Sequence, residues 1–263
     1  MVEPSPQPTV ADTDDSTPRG LMPVVLGGWK VDPEPPVVTL TGDASELQAL
    51  MAEHQGLLAT RSLVYNEAFT RSAMYFQLLG MSFLGLALIG PATGFSPEFV
   101  LVAILTLAFD FVMGVLAFLR VASANGDETR TVLAINRVRH GLVRIAPGIT
   151  PFLENPPYDD YDSVTLNYGI QSQGAVSNVV YGLSTSAGTV GLVVSLVAGL
   201  LAAVVALALA LPGGAAIAIG ILGAIGTLLL VLRWAFAMIV RHNADLSSRF
   251  PASRGTGGGT PAA

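Results

Sequence analysis

Apolar residues gather into four long runs, near 73–90, 99–119, 190–211 and 214–236, separated by polar stretches of very unequal length. A helix needs about 20 residues to cross a hydrocarbon layer, so each run predicts one transmembrane helix. Gly90, Pro91, Gly94 and Pro97 separate the first two runs, and Pro212, Gly213 and Gly214 the last two. Such residues end helices and turn the chain. Connections this short force each pair into an antiparallel hairpin. The expected fold class is all-α: a polytopic membrane protein with four transmembrane helices in two hairpins and helical cytoplasmic extensions.

The polar stretches carry a helical pattern of their own. Asp43-Ala44-Ser45-Glu46 has the form of a capping box, followed by Leu47, Leu50, Met51, Leu57 and Leu58 at helical spacing. A helix is predicted from residue 44, and neither Gly nor Pro interrupts it between Gly56 and the first span. Glu67 and Arg71 stand four apart, in the order that favours an ion pair along a helix. A second helix is predicted over 127–146, with Val132, Ile135, Leu142 and Ile145 on one side, and Pro147 and Gly148 stop it. From Pro151 the chain reads as irregular, and Gly174 to Gly188 fits either a loop or an extension of the third span. The tails, rich in Pro and Asp at one end and in Gly at the other, lack the apolar residues for a core. The chain divides into a disordered tail over 1–43, a cytoplasmic helix over 44–72, hairpins over 73–120 and 190–240, a cytoplasmic region over 121–189 and a tail over 241–263.

Charge decides which way the hairpins point. Neither short turn contains Lys or Arg. Arg61 and Arg71 precede the first span, Arg120, Arg130, Arg137, Arg139 and Arg144 follow the second, and Arg241, Arg249 and Arg254 follow the fourth. Loops beside a membrane keep Lys and Arg on the cytoplasmic side, so both termini are expected there. Hydrophobic residues make up 51% of the chain and charged residues 12%, about half the share of ordinary soluble domains. The net charge of −6 comes from acids in the N-terminal tail and one loop and identifies no partner. With no cysteine, disulfides, thiolate nucleophiles and sulfur-bound zinc are excluded.

The segment Arg61-Ser62-Leu63-Val64-Tyr65-Asn66-Glu67-Ala68-Phe69-Thr70-Arg71, with Asn136-Arg137-Val138-Arg139-His140, Ala146-Pro147 and Asp159-Asp160, resembles a family of uncharacterised four-span integral membrane proteins from actinobacteria and related bacteria. The likeness covers about 44–245 and leaves out both tails. It implies a bacterial inner-membrane location and the four-span architecture, and it implies no activity. Twelve arginines against one lysine agree with a GC-rich genome.

Asp110 is the first candidate for chemistry, because an ionisable group inside a span is costly and commonly functional. It lies ten residues from Arg120, and Arg233 lies eight from Arg241, or roughly 15 and 12 Å along their helices. The two could form a buried pair or mark an ion or proton path. If Arg233 instead stands at the interface, Asp110 is alone. Arg130, Arg137 and Arg144 recur every seven residues along one stripe beside His140. They are candidates for anion or lipid-headgroup contact, or for pairing with Asp159, Asp160 and Asp162. That acidic cluster lacks the spacing of a calcium loop and reads as solvated. His54, His140 and His242 are far apart in sequence, so no metal site or cofactor is expected. Gly191, Ser195, Gly199 and Ala203, like Ala216, Gly220 and Ala224, recur every four residues, the signature of close helix packing.

These features favour a non-enzymatic scaffold or sensor whose cytoplasmic helices meet a protein partner or the lipid surface. The alternative is a subunit of a small oligomeric channel or transporter that uses Asp110. An enzyme is not expected, since no nucleophile, base and orienting group assemble from the motifs. The expected partners are the bilayer, a cytoplasmic protein and further copies of the chain, without nucleic acid.

Overall fold

The computed structural model describes residues 30–31, 40–168, 182–244 and 246–252. Within them run β1 (Lys30–Val31), α1 (Ala44–Ala92), α2 (Pro97–Ile145), a 3-10 helix (Pro147–Phe152), α3 (Tyr161–Leu166), α4 (Ser186–Ala208), α5 (Gly213–Ala244) and β2 (Ser247–Ser248). Helices α1, α2, α4 and α5 are long and apolar enough to cross a membrane, and the protein is an all-α, multi-pass membrane protein. The expectations for 1–29, 32–39, 169–181 and 253–263 fall outside the described residues.

Both first-hairpin helices are longer than their spans. At 1.5 Å per residue, 49 residues extend roughly 73 Å, whereas the hydrocarbon layer is about 30 Å thick. The remaining length, roughly 40 Å, stands out of the bilayer as a two-helix stalk. The separate helix expected over 127–146 is the end of α2, which runs through Gly126 without a break. A single glycine costs about 1 kcal/mol in a helix, and the flanking residues pack well enough to outweigh it.

Local chemistry fixes the ends. Asp43 caps α1 by accepting from the Glu46 amide at 2.8 Å, and Glu46 reaches back to the amide of Gly42 at 2.9 Å. α1 continues through Pro91 to Ala92, and the turn into α2 needs positive φ at Gly94 (61°) and Phe95 (54°). Ser96 caps α2 with Pro97 in its first turn. The second hairpin turns at Ala210, with φ of 59°, just before Pro212.

The helices lie side by side in the order α1, α2, α4, α5. Between α2 and α4 the core is made by Leu107, Phe118, Val121, Val190, Val194 and Val197, joined from α1 by Ala68, Tyr75 and Leu79. Small residues bring α4 close to its neighbours. A Cβ on Gly199 would meet the Gly220 carbonyl at 2.5 Å, and one on Gly191 would meet Val231 at 2.6 Å and Phe118 at 3.3 Å. Buried Ser195 donates to the Gly191 carbonyl at 2.7 Å, which satisfies its hydroxyl within its own helix. Outward-facing Leu88, Leu105, Leu116, Leu196, Leu222 and Leu230 are exposed and contact the lipid bilayer.

The tail expected over 241–263 begins as the end of α5. Residues 246–252 do not form a free tail. Leu246 is buried with Val132, Leu133 and Val164, and Ser247–Ser248 pairs in parallel with Lys30–Val31.

Candidate functional site

Polar residues follow the seam between α1 and α2 at mid-membrane and along the base of the stalk, and a further cluster sits on α2 at the stalk's far end. At mid-membrane Asp110 is fully buried, and its Oδ1 accepts from Ser82 Oγ at 2.9 Å. Oδ2 has no hydrogen-bond partner. Tyr75, on the same face of α1 as Ser82 and seven residues before it, is buried with its hydroxyl also unpartnered. Gly114 makes room for that hydroxyl: a Cβ there would come within 2.5 Å of Tyr75 Oη. Gly114 lies one turn from Asp110 on the same face of α2, so phenol and carboxyl are neighbours along the seam.

The buried pair of Asp110 with Arg233 does not form. Arg233 is exposed on α5, and α5 packs mainly on α4, on the far side of α2 from Ser82. The charge of Arg233 therefore stays outside the bundle.

At the stalk edge Glu67 binds Arg71 at 3.0 Å and Arg120 at 2.8 Å. Arg120 and then Arg71 hold the Glu67 carboxyl below its usual range. Exposed pairs of this kind contribute little to stability. Farther out, the buried Glu128 carboxylate accepts from Arg61 at 3.0 Å and from the Tyr65 hydroxyl through the same oxygen. Burial and Glu128 together raise the Tyr65 phenol above its usual range.

The far end is built around Asp159. The sequence reads it as part of a solvated acidic loop, but it is fully buried. Its Oδ1 accepts from Ser248 Oγ at 2.7 Å and the Phe250 amide at 2.7 Å. Its Oδ2 accepts from Arg137 Nε at 2.8 Å and the Arg249 amide at 2.9 Å. Burial pushes this carboxyl up, but Arg137, the two amides and the Ser248 hydroxyl outweigh it and hold the group below the usual carboxylate range. Around it, Asn136 donates to the Tyr158 carbonyl at 2.8 Å, Arg139 to Asn136 and Asn167 at 3.0 Å each, and His140 stacks on Phe250 at 4.5 Å. His54 is pushed down, first by burial and then by Arg139.

The arginine stripe thus divides. Arg137 binds Asp159 and the Ser247 carbonyl, whereas Arg130 and Arg144 are exposed and form no ion pair among the described residues. Only those two remain free to meet an anion or headgroup. Among the described residues no three acids or histidines converge on a metal position. Ser82, Tyr75, Tyr65 and Glu128 escape the sequence reading, although polar residues seven apart inside a span, as Tyr75 and Ser82 are, signal one buried face. No family model matches the chain, and no curated protein or solved structure matches it either.

Proposed function

We propose that this protein is a membrane-anchored, non-enzymatic scaffold of a bacterial cytoplasmic membrane, with both termini in the cytoplasm. The stalk offers one face of α1 to an amphipathic helix of a cytoplasmic protein. One observation carries this reading. In the stalk α1 is covered only along the stripe that meets α2, and Leu47, Met51 and Leu58 stay 40%, 43% and 42% exposed. Their spacing of four and seven residues sets them in one line on the helix.

Lipid does not cover that line. Leu58 lies fifteen residues before the first span expected at residue 73, or roughly 20 Å beyond the hydrocarbon. Exposed apolar side chains aligned on a rigid helix are what helix-in-groove recognition uses as anchors. The arginines around the stalk support the orientation. The likeness of 61–71 and 136–140 to the actinobacterial family supports the bacterial placement.

The test is photo-crosslinking in living cells from the full chain, with the reactive group at Met51, Leu58 or, as control, the half-buried Leu57 on the α2-facing stripe. Adducts with one other protein from Met51 and Leu58, and none from Leu57, are the expected result. Adducts with lipid or with the chain itself alone, or none at all, would overturn the scaffold reading.

A further inference from the structure

We propose that Asp110, Ser82 and Tyr75 form a proton-binding site at mid-membrane depth, open to protons from the stalk side only. The site lies ten residues from the outer end of α1 at Ser82 and ten from Arg120 at Asp110, so each helix places it roughly 15 Å from a membrane edge. A carboxyl enclosed this fully is expensive to keep charged, and a single hydroxyl donor does not offset that cost. Ser82 satisfies one oxygen, leaving Oδ2 and the Tyr75 hydroxyl as two buried polar atoms without partners on one seam. A proton taken up at Oδ2 neutralises the carboxylate. It also turns Oδ2 from an acceptor with nothing to accept into a donor, and the Tyr75 oxygen is the other buried unpartnered atom at this depth of the seam. The balance is simple: a hydronium ion leaves its proton on Oδ2 and departs as water.

The chemistry selects a proton over a metal cation. Asp110, Ser82 and Tyr75 offer at most four oxygens and one charge, whereas calcium takes six to eight. The seam is also closed around them, since a Cβ on Gly114 would meet Val194 at 2.7 Å as well as the phenol. The groups facing the carboxyl are few. Ser82 of α1 bonds it, Tyr75 lies beside it along the seam, Val194 of α4 packs on Gly114 one turn away, and Arg233 is exposed on α5. Among the described residues no Lys, Arg or His faces Asp110.

The seam is not symmetric about the site. Toward the stalk it continues through the buried hydroxyls of Tyr75 and Ser72, and farther out through Tyr65 and Glu128. Toward the opposite membrane face the fully buried positions, Leu107, Ala103 and Gly90, carry no polar side chain, and the one hydroxyl near Asp110 there, Thr106, is only half-buried. This asymmetry makes the site a proton receptor rather than a stage in a channel through the bilayer.

Infrared spectroscopy of the full chain in nanodiscs reads the bound proton directly, as the carbonyl stretch of a protonated carboxyl that shifts in deuterium oxide. The expected result is a band in the parent that is lost in Asp110→Asn and kept at a shifted frequency in Tyr75→Phe, with sodium and potassium buffers giving the same spectrum. Identical spectra for parent and Asp110→Asn, or displacement of the band by sodium, would overturn the site. In liposomes under an imposed pH gradient the parent is expected to pass protons no faster than protein-free vesicles. A flux that Asp110→Asn removes would overturn the one-sided access.

Discussion

Along the stalk, α2 buries Val132, Leu133, Ile135, Val138 and Leu142, while α1 at the same distance from the membrane leaves Leu47, Met51 and Leu58 exposed. The two stretches are helices of like composition in one hairpin. What differs is how often the chain returns to them: residues 147–168 and 246–252 both fold back on α2, and no described segment covers Leu47, Met51 or Leu58 of α1. An apolar residue on a stalk therefore signals burial only when a later segment comes back to cover it. The bare face of α1 is thus a property of chain topology as much as of its sequence.

That contrast can be broken from the α2 side. Asp159→Ala removes the acceptor of four hydrogen bonds and leaves the Arg137 cation half-buried and unpaired. Removing one partner of a buried pair costs about 3–5 kcal/mol, so 246–252 should detach and bare the part of α2 that Leu246 covers. Faster hydrogen exchange at the Arg249 and Phe250 amides would show it, and unchanged exchange would refute the clasp. Glu128→Gln, which breaks the ion pair with Arg61 but spares that of Glu67 with Arg120, should cost about 1–3 kcal/mol and loosen α1 near Arg61 while leaving the Asp159 cluster intact. Exchange rates over 57–68 measure it.

Acid should copy the first substitution reversibly. The folded Asp159 carboxyl sits below its unfolded value of about 3.9, so its contribution is complete above that value and disappears as the pH falls through the lower, folded one. The clasp is expected to hold through neutral and mildly acidic solution and to release only below about pH 4, read by the same amides. The smallest effect belongs to the bare face. Leu58→Ser should change stability by less than about 0.5 kcal/mol, because little packing is lost, yet abolish the crosslink from Met51. A large loss of stability would mean that Leu58 is buried after all.

Much of this fold is legible in the sequence. The four apolar runs, the breakers between them and the cap at Asp43 set the spans, the hairpins and the start of α1. The continuity of α2 through Gly126 is not legible, because a glycine signals a break locally and only packing overrules it. Asp159 looks solvated beside Asp160 and Asp162, since its partners Ser248, Arg249 and Phe250 lie about ninety residues away and no local pattern connects them. Asp110 stands out in the sequence because a charge inside a span is rare. Its partners Ser82 and Tyr75 do not, since hydroxyls there are common and only the pairing of α1 with α2 brings them to the carboxyl.

The unbroken length of α1 and α2 has a mechanical consequence. A helix without a hinge has nowhere to absorb a twist, and two such rods locked along a common seam resist bending more than either alone. A displacement imposed at the depth of Asp110 thus has one continuous hydrogen-bonded helix along which to travel toward Leu47 and Met51, in the manner of a drive shaft. Inserting a flexible Gly-rich segment near residue 56 of α1 would uncouple the two ends without touching either.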